Sequence, residues 1–188
     1  MDGAGEANSE QDRQYVRATQ SLGAALERLA RAYESDPDQQ RDLLQDIHFA
    51  VWRSFAAFDG LCSEATWVYR VAHNVAASHA GKRKRLQGSG MVTLDELEHR
   101  PDPAQPDPEA ETGERRALAR LTALVRALAL PDRQVVLLYL EGLEAAAIGE
   151  VCSLTPGAVA VKIHRLKAVL ARQFHQARQS QTQQGGRP

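Results

Sequence analysis

The hydrophobic positions recur at helical spacing along most of the chain. Leu22, Leu26, Leu29 and Tyr33 fall at i, i+4, i+7 and i+11, on one helix face, and Pro37 closes that stretch. Leu44, Ile47, Val51, Phe55 and Phe58 form a second stripe, with Asp59-Gly60 as its stop signal. Ser63 is placed to cap a third helix, in which Trp67, Val68, Val71 and Val75 are the apolar stripe and which runs into Lys82-Arg83-Lys84-Arg85. No stretch here alternates as a strand would. Residues 14–85 therefore read as a bundle of three or four helices, with Trp52, Trp67 and the phenylalanines in its core or at its edge.

A second periodic stretch covers 116–178. Leu121, Leu124, Val125 and Leu128 mark one helix, and Pro131 opens another through Val135, Leu138 and Tyr139 that Gly142 closes. A short helix over 144–151, the turn Cys152-Ser153-Leu154 and a longer helix from Thr155 or Pro156 to about Phe174 follow. Val159, Ile163, Leu166 and Leu170 face inward on the longer one. Short helix, three-residue turn and long helix make a helix-turn-helix. The fold class is all-α: two small helical domains, a three- or four-helix bundle and a four-helix domain with the helix-turn-helix, joined by a flexible linker.

Composition assigns the remainder. Residues 86–115 hold Gly88, Gly90, Pro101, Pro103, Pro106 and Pro108 with Asp95, Glu96, Glu98, Asp102, Asp107, Glu109, Glu111 and Glu114, an acidic, proline-interrupted linker. Residues 1–13 and the Gln-rich tail 179–188 are polar and read as disordered. The 188 residues fit one ordinary domain or two small ones. Formal charge, 23 Lys+Arg against 24 Asp+Glu, sums to −1 and by itself points to no polyanionic partner. That sum merges a basic cluster at 82–85 and a basic last helix with the acidic stretch between them. No apolar run approaches the roughly 20 residues of a membrane span, so membrane insertion is not expected. The acidic N-terminus lacks the pattern of a secretory signal, and the expected location is the cytoplasm. Cys62 and Cys152 have no Cys-x-x-Cys partner and read as reduced or packed thiols.

Candidate chemistry sits on two helices. The outward positions of the last helix include Lys162, Arg165, Lys167, Arg172 and Arg178, with His164 and His175 nearby. A helix N-terminus offers N–H groups to phosphate and a basic face neutralises it, which suits a recognition helix in the major groove. The plainer alternative is a solvated basic face near a helix C-terminus. The cluster at 82–85 ends a helix carrying Trp67, Tyr69, Arg70, His73 and Asn74, a set suited to exposed bases as well as phosphate. Against that, Trp67 reads equally well as core. Enzymatic signatures are missing: the six histidines form no i, i+4 pair, and His164 and His175 lie roughly 16 Å apart along a helix, so no metal site is expected. There is no Gly-rich phosphate loop and no nucleophile elbow, and no cofactor is implied. Asp42 and Asp46, one turn apart, suit docking or solubility.

Two ordered blocks resemble a known family. Asp42-Leu43-Leu44-Gln45-Asp46-Ile47 through Val51-Trp52-Arg53-Ser54, then Phe58-Asp59-Gly60, then Thr66 through Val75, is similar to region 2 of bacterial RNA polymerase sigma factors. Leu130-Pro131-Asp132-Arg133-Gln134 through Glu141-Gly142-Leu143, Ile148-Gly149-Glu150-Val151, Pro156-Gly157-Ala158-Val159 and Lys162-Ile163-His164-Arg165-Leu166-Lys167 resembles region 4. Two domains alone are similar to the small extracytoplasmic-function (ECF) branch of the sigma-70 family. The resemblance implies a promoter-specificity subunit that binds core polymerase at the clamp coiled coil of the largest subunit and at the flap, recognises −35 and −10 elements, and helps open DNA without catalysis of its own. By resemblance, Asp42, Leu43, Gln45, Asp46 and Trp52 dock on core; Asp59, Gly60 and the loop to Ser63 receive a flipped −10 base; Trp67, Arg70 and Asn74 melt and read that element, beside Lys82, Arg83, Lys84 and Arg85. Thr155, Pro156, Gly157, Ala158, Val161, Lys162, Arg165 and Lys167 fall on the −35 helix. An anti-sigma partner is a further expectation by resemblance.

Some positions depart from the family pattern. Ala158, Ala160 and Val161 stand where Thr, Lys and Ser are frequent and cannot donate hydrogen bonds to base edges. Upstream readout then falls to helix-terminus amides, Lys162, Arg165 and DNA shape. Ala145 replaces a frequent aromatic, Ser153 a turn glycine and Ser78 an aspartate. A linker of about 30 residues reaches about 100 Å when extended, enough for two DNA contacts roughly 50 Å apart. The alternative from another class is a two-domain helix-turn-helix regulator whose first domain senses a ligand or dimerises.

Overall fold

The computed structural model describes residues 3–87, 91–99 and 113–184. Among them the regular structure is helical: α1 (Gly3–Tyr33), α2 (Pro37–Ser54), a 3₁₀ turn (Phe55–Ala57), α3 (Glu64–Gln87), α4 (Leu94–His99), α5 (Gly113–Ala127), α6 (Asp132–Leu140), α7 (Ala145–Cys152) and α8 (Pro156–Gln184). The chain divides into two compact units, residues 1–89 with 146–154, and 90–145 with 155–188.

In the first unit α1, α2 and α3 pack on one another. Asp36 starts α2 by accepting from Asp38 N at 2.9 Å and Gln39 N at 3.0 Å, with Pro37 at the first position, where its missing N–H is not needed. The α2 stripe is Leu43, Ile47 and Val51, each fully buried. Leu44, assigned to the core by spacing, is half-buried. The Leu43-Leu44 pair leaves the period ambiguous by one residue, and packing selects Leu43. On α3 the buried positions are Val68, Tyr69, Ala72, His73, Ala76 and Ala80, whereas Trp67, Val71 and Val75 are half-buried. Small alanines let α3 approach its neighbours closely, a signal that a search for bulky residues passes over. Each buried large aliphatic contributes about 1.5–3 kcal/mol.

The N-terminal stretch expected to be loose is helical from Gly3. Polar side chains tie it down: Gln11 Nε2 donates to the Trp52 carbonyl at 2.8 Å, and Trp52 Nε1 donates to Asp12 Oδ1 at 2.8 Å. Arg13 beside Glu10 closes one further i, i+3 pair, and its hydrogen bond holds the Glu10 carboxyl below its ordinary range.

The second unit departs from the expected linker. Thr93 and Glu96 form a capping box: Glu96 Oε2 accepts from Thr93 N at 2.7 Å, and Thr93 Oγ1 accepts from Glu96 N at 3.1 Å. The short α4 that follows buries Leu94 and Leu97. Just before it, Val92 N donates to the Ala127 carbonyl at 3.0 Å and the Val92 carbonyl accepts from Ala129 N at 2.7 Å, in a parallel bridge beside α5. Leu94 N donates to Asp132 Oδ2 at 2.8 Å, and buried Arg133 donates to the Leu128 carbonyl at 3.0 Å. Residues 91–99 are thus part of the second unit's core, while 100–112 lie outside the described residues. In α8 the buried positions are Val159, Leu166 and Val169, with Ile163 and Leu170 half-buried, and the helix extends to Gln184, into the expected tail.

Candidate nucleic-acid interface

The outer face of α2 is set by its buried stripe. Asp42, Gln45 and Asp46 are exposed, whereas Leu43 is entirely buried. Leu43 therefore holds the helix in place and does not present a docking side chain. Trp52 is half-buried with its indole N–H engaged by Asp12, and its ring stacks on Phe49 at 6.2 Å between centroids. Phe49, off the stripe and 60% exposed, was not among the sequence candidates. Its signal was a bulky aromatic on the polar side of an amphipathic helix.

The loop between the 3₁₀ turn and α3 is rigid for chemical reasons. Asp59 Oδ1 accepts from Leu61 N at 3.0 Å, and Gly60 has a φ of +76°, which a side chain tolerates poorly. The turn thrusts Leu61 out, 89% exposed, inside the loop that the resemblance assigned to the flipped base though not named there. Ser63 is exposed but occupied as the α3 cap, its Oγ accepting from Thr66 N at 3.0 Å. Trp67 packs on Phe58, 5.4 Å between centroids, and donates Nε1 to Ser54 Oγ at 2.9 Å. Its polar edge is spent inside the protein, which leaves a ring face and not a hydrogen bond for an outside contact.

Farther along α3, Arg70 is half-buried and Asn74 and Lys82 are exposed. Asn74, Val75, Ser78, His79 and Lys82 line an open cleft of about 290 Å³ together with Asp46 of α2. Residues assigned by sequence to two different partners thus share one surface. His79 Nε2 lies 3.1 Å from Oε2 of the fully buried Glu34. His73 is buried with its Nδ1 unpartnered, and burial alone pushes its pKa down to about 3, so it stays neutral and belongs to the core. The side chains of Arg83, Lys84 and Arg85 lie outside the described residues.

Along the chain, α7 is followed by Ser153 at a φ of +56° and then by α8, the order of a helix-turn-helix. Thr155 caps α8, its Oγ1 accepting from Ala158 N at 3.2 Å, and Pro156 and Gly157 are exposed in the first turn. Lys162, expected on the outer face, is half-buried and paired with the buried Asp132 carboxylate. Arg165 lies 3.2 Å from Asp95, and Arg172 donates to the Leu97 carbonyl at 3.3 Å. Lys167 is exposed, its ammonium 5.5 Å from the Tyr139 ring centre. The outward stripe is Gly157, Ala160, Val161, His164 and Lys167, all exposed, while Ala158 is half-buried.

Two family models match, in chain order: Sigma-70 region 2 over residues 19–86 and Sigma-70 region 4 over residues 118–170. The chain belongs to the sigma-70 family. As a sigma factor it is a promoter-recognition subunit whose two regions bind core RNA polymerase and promoter DNA. It is 27% identical to RNA polymerase sigma factor CnrH of Cupriavidus metallidurans over 172 residues, 89% of this chain and 90% of that one. It is also 33% identical to the ECF sigma factor SigX of Bacillus subtilis over 60 residues, about a third of each (32% and 31%). These relatives place the sigma factor in the ECF branch.

Solved structures agree on the fold. CnrH in complex with the cytosolic domain of CnrY matches with a TM-score of 0.63 at 21% identity, covering 92% of this chain and 94% of that one. The sigma factor RpoE bound to the anti-sigma factor NepR, from Bartonella quintana, gives 0.59 at 17% identity, over 84% and 96%. A regulator with a sensing first domain is not favoured, since that part of this sigma factor matches region 2. Among the described residues no group of His, Cys, Asp or Glu is arranged to hold a metal, and no single helix is long and apolar enough to cross a membrane.

Proposed function

We propose that the sigma factor divides its work between three exposed surfaces, with no catalysis of its own and in the cytoplasm. The outer face of α2, carrying Asp42, Gln45, Asp46 and the Phe49–Trp52 stack, docks on core polymerase. The Asp59–Ser63 loop and the exposed edge of α3, Trp67 to Lys82, take the unpaired −10 strand. The outward stripe of α8 enters the major groove of the −35 element. What supports this division is that region 2 and region 4 match in order along the chain, and that each exposed stripe lies opposite a buried one that fixes it. An anti-sigma partner follows by analogy with the two neighbours, both of which were solved bound to a partner protein.

Run-off transcription with purified chain, core polymerase and a library of genomic promoters tests the reading. Initiation from a defined start site that depends on the chain is the expected result; no initiation from any template would overturn it.

A further inference from the structure

The recognition helix poses a chemical question: which groups read bases when Lys162, Arg165 and Arg172 are engaged elsewhere. Lys162 is bound to Asp132, Arg165 lies against Asp95 and Arg172 donates to the Leu97 carbonyl. Those contacts hold the donors that would otherwise reach a guanine edge. What α8 turns outward is Gly157, Ala160, Val161, His164 and Lys167, one stripe at i, i+3, i+4, i+7 and i+10. Val161 is the large apolar member, 51% exposed, whereas Val159, Leu166 and Val169 of the same helix are packed inward.

The surroundings of Val161 select its occupant. Residues 156–184 contain no Asp or Glu, Lys167 extends the same stripe, and the stripe begins at a helix N-terminus capped by Thr155. Cation and helix end both favour a polyanion over an apolar protein surface. Within the major groove the one apolar mark on a base pair is the C5 methyl of thymine. Gly157 adds to the fit: a Cβ there would meet nothing within 4 Å, so the fold itself has no need of glycine and the backbone is open to close approach.

We infer that Val161, flanked by Ala160, is a specificity-determining residue that recognises a thymine of the upstream element through its methyl group, while Lys167 and the helix terminus fix the register on phosphate. The inference rests on the reading of α8 as the −35 helix. It predicts that the element bears thymine at the base pair facing Val161.

The test uses holoenzyme assembled from full chain and core polymerase, on a promoter selected from a randomised upstream library. Each thymine of the upstream element is replaced singly by deoxyuridine, which removes the methyl and no hydrogen-bonding group. One position should lose about four-fold in open-complex formation, the factor equivalent to about 0.8 kcal/mol for one buried methyl. In Val161→Ala holoenzyme the deoxyuridine effect at that position should vanish, with effects of phosphate contacts retained. Val161→Thr, which keeps one methyl, should retain part of it, and thermal melts check that both variants fold. Selection of an element without thymine, no deoxyuridine effect at any position, or an equal effect in Val161→Ala would overturn the inference while promoter-directed initiation stands. Absence of initiation from every template would instead overturn the sigma-factor reading and this inference with it.

Discussion

Substitution of Lys162 separates two roles that a sequence cannot distinguish. A solvent-facing lysine on a recognition helix contributes to DNA affinity and little to stability. In the structure Lys162 meets an Asp132 carboxylate whose side chain is 4% exposed, and its own side chain is 22% exposed. Lys162→Met therefore strands a buried carboxylate, a change that costs about 3–5 kcal/mol when the pair is fully dry. Water reaches part of the ammonium, and Leu94 N still donates to Asp132, so about 2–3 kcal/mol is the appropriate expectation here. For a unit of about 90 residues that corresponds to a fall in Tm of about 10–20 °C. Both tryptophans, Trp52 and Trp67, lie in the first unit, so their fluorescence should melt unchanged while the helical circular dichroism of the second unit melts early. Adding Asp132→Asn, which keeps an acceptor for Leu94 N and removes the stranded charge, should recover about half the loss. An unchanged melt accompanied by a large drop in promoter affinity would refute this account and restore Lys162 to the DNA-facing side.

Three other outcomes follow. His73 holds a pKa of about 3 in the folded state against an ordinary 6.5, so the unfolded chain gains a proton first as pH falls; first-unit stability should decline by about 1.4 kcal/mol per pH unit from about 6.5 towards 3. Urea titrations followed by tryptophan fluorescence at pH 7 and 5 read this, and a slope unchanged by His73→Leu would contradict it. Gly60→Ala places a methyl-bearing residue at a φ of +76° with no neighbour to strike, so the same titration should show a loss of about 1 kcal/mol, partly recovered by Asn; a neutral result would refute the strain. Asp46→Arg, on an exposed position, should leave the melt within about 0.5 kcal/mol of wild type and weaken core-polymerase binding at least about ten-fold by interferometry; unaltered affinity would remove Asp46 from the docking face.

Much of the fold was legible because apolar residues at helical spacing carry the core. The limits of α2, α6 and α8 follow from Asp36-Pro37, from Gly142 and from Thr155-Pro156, all local chemistry. Two kinds of information were lost. Where apolar residues adjoin, as at Leu43-Leu44, or where alanines and a neutral histidine make the packing face, as on α3, bulk and polarity mislead about which side is inside. Where a sequence is rich in proline and acid, composition masks a short ordered element: Thr93-Leu94-Asp95-Glu96 has both the capping-box residues and the first of two leucines three apart. Site residues divide the same way. Asp42, Asp46, Asn74 and Lys167 are exposed as their patterns required, but the partners of Lys162 and Arg165 come from 30 and 70 residues away in sequence, beyond any local reading.

The anchoring of Val92 to α5 alters the chain as a tether. Thirty loose residues would behave as a compliant leash of about 100 Å, tolerant of where its two ends are held. With 91–99 fastened to the second unit, that segment no longer adds to the length of such a leash. A leash shortened by that segment raises the effective concentration of a second reader once the first has bound, and it leaves less slack to absorb a change in spacing. Bivalent engagement of this kind makes the distance between two promoter elements a quantity that the protein measures.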